Sequence, residues 1–266
     1  MKLLYVTSEA APFAASGGLG DVMGALPPAI KEAAHDSDVR VILPLYKSVM
    51  SEKTVSALKK VSEFRFSYGW REAYAAIYAI ENKGVTYYFV DNEQYFSRPR
   101  LYGEFDDGER FAYFSLAVLE FLIRSDFKPD ILHANDWQCA LSVIYLRTKF
   151  SSVPELSGIR TVYTIHNIEY QGKYDLAILG DIFALDYAYT GIVEYDGCIN
   201  LMKGAIVTAD RVTTVSPNYA NELRQAFFAF GLQHVINLYG YKLSGIINGI
   251  DTEYFSPALG GDISVP

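Results

Sequence analysis

Ser16-Gly17-Gly18-Leu19-Gly20-Asp21 follows the short apolar stretch Leu3-Leu4-Tyr5-Val6 and opens a helical pattern. This order of apolar strand, glycine-rich turn and helix predicts a βα unit with a ligand site in its first turn. Glycines before a helix let the backbone approach a ligand, and the free N–H groups of the first helical turn favour an anion or a hydroxylated group. The alternative is that the glycines only form a tight turn and let the helix pack closely on its strand.

The same glycines do not fit the fingerprint of a dinucleotide-binding turn. That fingerprint is Gly-x-Gly-x-x-Gly directly after a strand, whereas Gly18, Gly20 and Gly24 are spaced Gly-x-Gly-x-x-x-Gly. The loop over 8–17 is too long for that turn, and no acid that could hold a ribose follows the second predicted strand, Val39–Leu43. A phosphate loop of the Gly-Lys-Ser/Thr type is absent from the sequence as well. We therefore expect neither NAD nor another cofactor.

Composition narrows the class of protein. The chain has 266 residues, which fits one large α/β domain, and half of them are hydrophobic. The formal net charge of -8 argues against a nucleic-acid-binding surface and against binding to an anionic membrane. Cys139 and Cys198 have no metal-ligand spacing, so we expect no metal site and free thiols in a reducing compartment. Because neither a leader-like segment nor a membrane-spanning run is recognisable, we expect a soluble cytoplasmic protein.

Strand-like and helical patterns alternate along the whole chain. This alternation predicts a Rossmann-like, doubly wound and mostly parallel α/β sheet with helices on both faces. The predicted strands are 3–7, 39–43, 131–133, 160–165, 211–215 and 243–247, and the predicted helices are 19–34, 111–124, 140–148, 198–209 and 217–225. Alternating stretches over 64–90 and the turn at Asn82-Lys83-Gly84 predict an antiparallel, strand-rich extension. Ser216 is the expected N-cap of the last helix, with Pro217 at its first position.

Polar residues follow several of the predicted strands. In parallel α/β sheets ligands bind beyond the carboxyl ends of the strands, so side chains placed there are candidates for a shared site. The candidates are Ser16 to Asp21; His133, Asn135 and Asp136; His166 and Asn167; and Asn248 and Asp251. Each of them alone has a simpler explanation, since Asp136 could cap a helix for about 1 kcal/mol and Asn248 precedes a glycine in a turn. Their occurrence at four separate strand ends favours one common site.

Six stretches of the chain resemble the N-terminal half of bacterial glycogen synthases and plant starch synthases. They are TSEAAPFAASGGLGDVMGALP, VDNEQYFSRPRLYGEF, DILHANDWQCAL, TVYTIHNIEYQG, TTVSPNYANELR and GIINGIDTEYFSP, in the order and spacing of that family. Enzymes of the family transfer glucose from ADP-glucose to the non-reducing end of an α-1,4-glucan with retention. The resemblance implies a two-domain GT-B glycosyltransferase with its active site between two Rossmann-like domains.

The resemblance also implies how this chain relates to the whole enzyme. Residues 1–266 correspond to the N-terminal, acceptor-side catalytic domain, and the C-terminal nucleotide-binding domain is absent from this chain. The expected partners are ADP-glucose, an α-1,4-glucan or maltooligosaccharide and that missing domain, with neither nucleic acid nor a membrane among them. Because the cations that hold the diphosphate belong to the missing half, we expect the chain alone to bind maltooligosaccharide weakly and to transfer no glucose.

Carried over position by position, the resemblance implies roles for individual residues. His166 and Asp136 are assigned to the catalytic centre. The implied substrate-binding residues are Ser16, Gly17, Gly18, Asp21, Tyr102, Asn167 and Asn248. In the family the histidine holds a hydroxyl of the transferred glucose and is not a nucleophile. Retention then depends on electrostatic stabilisation of an oxocarbenium-like sugar and of the leaving diphosphate.

Ala15 departs from the family pattern, which has a lysine at this position of the glycine loop. Its absence removes a charge-assisted contact to an anionic donor, an interaction of about 1.5–3 kcal/mol. Two alternatives to an ADP-glucose-dependent synthase therefore stay open. One is a non-catalytic glucan-binding domain, and the other is a related sugar-nucleotide transferase or phosphorylase-like enzyme with another donor. The 21 Tyr and 16 Phe residues fit either an aromatic core or stacking platforms for sugars.

Overall fold

The computed structural model describes residues 1–251, and within them a nine-stranded sheet runs through the centre of the molecule. The strands in chain order are β1 (Lys2–Val6), β2 (Asp38–Pro44), β3 (Lys59–Tyr68), β4 (Arg71–Asn82), β5 (Val85–Asp91), β6 (Ile131–Asn135), β7 (Arg160–Ile165), β8 (Lys173–Tyr174), β9 (Glu194–Tyr195), β10 (Cys198–Asn200), β11 (Arg211–Thr214) and β12 (Leu243–Gly245). The large sheet has the order β12-β11-β7-β6-β1-β2-β5-β4-β3, and β8-β10-β9 form a small separate sheet.

The order of the strands is that of a doubly wound sheet. β1 pairs in parallel with β2 on one side and with β6 on the other, so the direction of winding switches between β1 and β6. The pairings from β6 through β7 and β11 to β12 are all parallel. β4 pairs antiparallel with both β5 and β3. The predicted mostly parallel α/β sheet and its antiparallel extension over 64–90 are both confirmed.

Helices cover both faces of the large sheet. They are α1 (Gly18–Ala33), α2 (Glu52–Ala57), α3 (Glu93–Phe96), α4 (Asp107–Arg124), α5 (Asp136–Arg147), α6 (Thr190–Val193), α7 (Leu201–Thr208), α8 (Pro217–Glu222) and α9 (Gln233–Leu238). Ser216 Oγ accepts a hydrogen bond from the Tyr219 N–H at 2.9 Å, and Pro217 is the first residue of α8. The expected cap is therefore confirmed. No helix within residues 1–251 has the length and apolar character needed to cross a bilayer.

Alternate residues of β1 point into two different apolar clusters. Leu4 and Val6 join the larger cluster, which includes the inner sides of α4, α5 and α7, whereas Leu3 and Tyr5 join the smaller cluster beneath α1. Most of the large aromatic side chains belong to these clusters, and several tyrosines are completely buried. The high aromatic content is thus mainly a property of the core, and only a minority of the rings reach the surface.

Several local predictions need correction. The helix predicted over 198–209 begins only at Leu201, because Cys198–Asn200 pairs with β8 and β9 before Asn200 caps α7 by accepting the Lys203 N–H at 2.9 Å. α4 and α5 each begin four residues before the predicted starts at 111 and 140, because the four residues ahead of each predicted start show no helical apolar period. β12 ends at Gly245 rather than at 247. The end of the predicted domain over 1–266, and of the GIINGIDTEYFSP stretch, lies outside the described residues.

Candidate functional site

A cavity of about 620 Å³ lies at the carboxyl edge of the sheet, beside the switch between β1 and β6. One wall is the length of α1 from Val22 to Glu32 together with His35 just after it, and the opposite wall is the segment from Ile246 to Asp251. The floor is polar and comes from the ends of β6, β7 and β11. It consists of His133, Asn135, Thr164, His166, Thr213 and Thr214. The predicted convergence of polar strand ends on one edge is thus observed for β6 and β7, with Asn248 on the opposite wall.

His166 is held at the end of β7 by the buried amide of Asn135. Its Nε2 lies 3.0 Å from Asn135 Oδ1, and Asn135 Nδ2 donates to the Val6 carbonyl at 3.1 Å. Because an amide oxygen only accepts, Nε2 carries the proton. Burial lowers the pKa of His166 to about 4, so the ring is neutral near pH 7. Nδ1 is therefore left with a lone pair that can accept a hydroxyl proton.

His133 forms a second polar pair on the same floor. Its Nε2 lies 2.5 Å from Thr164 Oγ1, and this hydroxyl lies 2.6 Å from Thr213 Oγ1. Burial lowers the pKa of His133 to about 3, and the nearby His166 adds to this effect. The floor of the cavity therefore combines two neutral imidazoles with hydroxyl groups, a surface suited to hydroxylated ligands rather than to a free anion.

Asp136 binds the backbone of the β7 loop instead of capping its own helix. Its Oδ1 accepts the N–H of His166 at 2.8 Å and the N–H of Asn167 at 3.4 Å, while Asn135 occupies the N-cap position of α5. The residue has a φ of +55°, a region that costs a non-glycine residue about 1 kcal/mol or more. Burial raises the pKa of Asp136 to about 7, although the two N–H bonds act in the opposite direction. Asp136 thus sets the position of the His166 backbone, and the N-capping alternative is wrong.

The glycine loop is open on its outer side. Ser16, Gly17, Gly18 and Asp21 are all exposed, and no side chain within the described residues caps the N-terminus of α1. A Cβ placed on Gly17 or Gly18 would meet no atom within 4 Å, and the φ of −172° at Gly17 is open to any residue. Neither packing nor backbone conformation therefore requires glycine at these two positions.

Gly20 and Gly24 serve packing instead. A Cβ on Gly20 would lie 2.5 Å from the Cβ of Ala15, and one on Gly24 would lie 2.7 Å from the carbonyl oxygen of Ala11. Both distances are shorter than a side chain can tolerate. The two interpretations of the glycine stretch thus apply to different residues, because Gly20 and Gly24 allow close packing while Gly17 and Gly18 leave space beside the helix terminus.

Glu9 is a component of the site that sequence reasoning missed. Its buried carboxylate accepts hydrogen bonds from the backbone N–H of Ser16, from Ser16 Oγ at 3.1 and 3.2 Å, and from the Tyr102 hydroxyl at 2.9 Å. The same tyrosine hydroxyl lies 2.7 Å from Ser8 Oγ. Glu9 therefore joins the glycine loop to the loop that carries Tyr102. The available signal was an acid shortly after β1, at the carboxyl edge of the sheet.

The loop that carries Tyr102 is fixed from below by a buried ion pair. Arg110 donates to Asp107 Oδ1 at 3.1 Å and to the Leu101 carbonyl at 3.0 Å, and Asp107 Oδ2 accepts the Gly103 N–H at 2.8 Å. The backbone is thus held on both sides of Tyr102. Burial raises the pKa of the Tyr102 phenol well above its ordinary value, so this group stays a neutral hydrogen-bonding partner of Glu9.

Not all predicted site residues reach the cavity. His166 and Asn248 line it, whereas the glycine loop, Tyr102 and Asp136 are not among its lining residues. Asp21 immediately precedes Val22, the first residue of one wall. Asn167 is exposed, and its Oδ1 accepts the Glu169 N–H at 2.9 Å within its own turn. Within residues 1–251, no group of three or more His, Cys, Asp or Glu side chains is arranged to hold a metal ion.

A doubly wound sheet with a polar site at its switch point and an open glycine turn defines a Rossmann-type ligand-binding domain. The model of the starch synthase catalytic domain family matches residues 2–238. The chain therefore belongs to the starch synthase catalytic domain family, and the resemblance seen in the sequence is confirmed.

Similar proteins agree with this assignment. The chain is 46% identical over 260 residues to the glycogen synthase of Ligilactobacillus salivarius, covering 97% of this chain and 54% of that protein. It is 44% identical over 268 residues to the glycogen synthase of Streptococcus uberis, covering 100% of this chain and 55% of that protein. The catalytic domain of Starch Synthase IV from Arabidopsis thaliana bound to ADP and acarbose superposes with a TM-score of 0.87 at 32% identity, covering 97% of this chain and 54% of that one. The chain spans about half the length of the relatives it matches.

Proposed function

We propose that this chain is the acceptor-side domain of a retaining glucosyltransferase of the glycogen synthase type. In this proposal the full enzyme transfers glucose from ADP-glucose to the non-reducing end of an α-1,4-glucan in the cytoplasm. Membership of the family supports glycosyl transfer. Within the structure, the observation that carries the proposal is the open side of Gly17 and Gly18 next to a cavity whose floor is polar and neutral.

The open side of the glycine loop is suited to a sugar nucleotide. α1 has 16 residues, and its N-terminus presents free N–H groups and the positive end of the helix dipole. Since nothing in the described chain fills the space beside Gly17 and Gly18, a ligand backbone or phosphate can approach the loop closely. Glu9 holds Ser16 from the inner side, so the loop is positioned before a ligand arrives.

His166 is suited to hold the transferred glucose. As a neutral ring with its proton on Nε2, it can accept a hydroxyl hydrogen bond at Nδ1 without acting as a nucleophile. Asp136 positions this histidine through the backbone, which makes it a positioning residue in the proposed site. Asn248 on the opposite wall would provide a second polar contact to the sugar.

The leaving diphosphate needs cations that this part of the enzyme does not supply at the glycine loop. Ala15 stands where the family has a lysine, and Lys31 on the cavity wall already donates to the carbonyls of His35 and Ser37 at 2.8 and 2.7 Å. We therefore assign the diphosphate contacts to the part of the relatives that extends beyond this chain. The chain alone is then expected to bind maltooligosaccharide weakly and to be inactive.

Ala15 also favours a second candidate, a glucan-binding domain without transfer activity. The test uses the full-length synthase, meaning this chain together with the length that its relatives have beyond it. Incorporation of labelled glucose into glycogen is measured with ADP-glucose and with UDP-glucose. Transfer from ADP-glucose supports the proposal, and transfer from UDP-glucose alone would replace the donor. No transfer from either donor, with glycogen binding retained, would favour the second candidate.

A further inference from the structure

An exposed tryptophan stands at the tip of the β3–β4 hairpin, outside the site described above. Trp70 is 79% exposed, and its indole N–H donates to the carboxylate of Asp181. An exposed indole forgoes the stabilisation that burial of so large an apolar ring would provide. Such a residue calls for a reason beyond folding.

The hairpin tip projects beyond the same edge of the sheet that carries the site. β4 pairs with β5 only from Ala76 onward, so Arg71 to Ala75 extend past the end of β5 at Asp91. At about 3.4 Å per residue, the tip reaches about 17 Å beyond that strand end. Because β5 runs parallel to β2, and β2 to β1, this is the carboxyl edge on which the glycine loop lies.

The hairpin tip is also fastened by contacts that do not involve the indole N–H. The Tyr68 hydroxyl donates to the Ile182 carbonyl at 2.6 Å and lies 3.1 Å from the Glu109 carbonyl. Arg71 donates to the Asp181 carbonyl at 2.8 Å and to the Glu109 carboxylate at 2.9 Å. These contacts hold the turn against α4 and against the segment 180–182. The Arg71 guanidinium carbon also lies 5.4 Å from the centre of the Trp70 ring, on one of its faces. The ring is therefore held in place while most of it stays exposed, which lowers the entropy cost of binding a ligand to it.

A second aromatic ring contacts the same surface turn. Tyr187 is 61% exposed, and a Cβ on Gly180 would lie 3.3 Å from Tyr187 Cε2. Gly180 directly precedes Asp181, the residue that binds Trp70. Tyr187 therefore contacts the first of these two turn residues, and Trp70 contacts the second. We call Trp70, Asp181 and Tyr187 the hairpin platform.

We propose that the hairpin platform binds a distal part of the α-glucan chain. Flat exposed rings stack on the apolar C–H faces of pyranoses, and the Asp181 carboxylate can accept hydroxyl hydrogen bonds. Arg71, the cation that hydrogen-bonds to the Asp181 backbone, is already paired with Glu109. This pairing disfavours binding of an anionic polymer at the platform. The proposal rests on the proposed function, since the acceptor there is a polymer that extends away from the site.

A row of packed aromatic rings connects the site and the platform beneath the surface. The ring of Tyr174 packs 6.1 Å from that of Trp137, which directly follows Asp136, and 5.2 Å from that of Phe183 near the platform. Because the platform and the site lie on the same carboxyl edge of the sheet, a glucan long enough to span the two would stay attached while its non-reducing end occupies the cavity region. This arrangement predicts tighter binding of long glucans than of short ones.

The test measures glucan binding by the chain itself. Retardation in native gels that contain glycogen gives the affinity, and tryptophan fluorescence during maltoheptaose titration gives a second readout. The chain has two tryptophans and Trp137 is buried, so a ligand-induced change in emission reports on Trp70. The variant is Trp70→Ala. The control is Tyr241→Ala, because Tyr241 is also 79% exposed but precedes β12 at the amino edge of the sheet.

We expect Trp70→Ala to weaken glycogen binding about tenfold and Tyr241→Ala to leave it unchanged. Trp70→Phe, which keeps an aromatic face, should restore most of the affinity, and unchanged melting curves show that the fold persists. Equal retardation of Trp70→Ala and wild type, or no retardation of the wild type, would overturn the proposal.

Kinetics separate this proposal from the proposed function. In the full-length synthase, Trp70→Ala should raise the KM for glycogen about tenfold and leave kcat/KM for maltotriose unchanged. An unchanged KM for glycogen with intact transfer would overturn the platform and leave the function standing. Glycogen binding that depends on Trp70 without transfer from any sugar nucleotide would support the platform and overturn the function.

Discussion

The floor of the cavity and the glycine loop are organised in opposite ways. On the floor, His166 and His133 are neutral, partly buried and bonded to neighbouring side chains, so their geometry exists before a ligand binds. In the loop, Glu9 holds the inner side through Ser16, while Gly17 and Gly18 face open space. A preorganised floor can orient a sugar, whereas the open loop lets a ligand approach the N-terminus of α1 closely. Substitutions in the two regions should therefore have different effects on activity and on stability.

The largest effect is expected on the floor. In the full-length synthase, His166→Ala should lower kcat/KM for ADP-glucose by about 10²–10³-fold, because a sugar hydroxyl loses its fixed partner in a desolvated site. His234→Ala is the control, since His234 is exposed on α9, does not line the cavity and should leave kcat/KM unchanged. Steady-state kinetics with both variants measure the difference. Less than threefold loss in His166→Ala would show that the histidine is structural and that the site is misplaced.

In the glycine loop, Gly18→Ala should lower activity without lowering stability. Gly18→Ala places a methyl group into open space within a helix, so the free energy of unfolding should stay equal or rise by up to about 1 kcal/mol. Activity should nevertheless fall about tenfold, because the methyl group would block close approach of the sugar nucleotide.

Gly24→Ala is the matched opposite within the same helix. Its Cβ would meet the Ala11 carbonyl, so the variant should lose about 1–3 kcal/mol of stability. Urea unfolding of the chain and kinetics of the full-length synthase test the pair. A Gly18→Ala enzyme with full activity would mean that the open space binds nothing.

A smaller effect concerns the pH dependence of stability at Asp136. Its pKa in the folded chain is raised to about 7, above the ordinary aspartate value of about 4. The folded state therefore binds the proton more tightly, and the stabilisation present below about pH 4 is lost as the pH rises to about 7. Both histidines act in the opposite sense, because their lowered pKa values contribute stability above about pH 6.5 that is lost as the pH falls.

The difference between wild type and Asp136→Asn isolates the carboxyl group. Asn keeps an oxygen that can accept the N–H groups of His166 and Asn167, and it does not titrate. We expect wild type to lose stability relative to the variant between about pH 4 and pH 7, measured by urea unfolding at several pH values. Parallel pH profiles for the two proteins would show that Asp136 has an ordinary pKa.

The smallest effect is expected from a lysine restored at Ala15. In the full-length synthase, Ala15→Lys should raise kcat/KM for ADP-glucose several-fold, or by about 1 kcal/mol, by placing a cation beside the diphosphate. Ala15→Gln controls for side-chain length without charge. An unchanged Ala15→Lys enzyme would show that another cation already occupies this place, and it would leave the assignment of the loop intact.

The parts of the site that sequence reasoning found are those that follow from local pattern and topology. The apolar stretch of β7 predicted its own bounds, and parallel strands necessarily bring residues such as His166 and Asn135 to one edge of the sheet. Glu9 was missed because its importance depends on Tyr102, which lies 93 residues further along the chain. The start of α7 was mispredicted for a similar reason, because Cys198–Asn200 becomes a strand only through pairing with two distant segments.

The sequence by itself determined the alternation of strands and helices, the family and the edge of the sheet where the site lies. These properties follow from side-chain periodicity and from motifs that are local along the chain. Only the tertiary structure decided which glycines face open space, that Asp136 holds the β7 loop rather than its own helix, and that both histidines are neutral. The physical reason is that burial, close contact and desolvation depend on what distant segments bring to a residue, which no local pattern records.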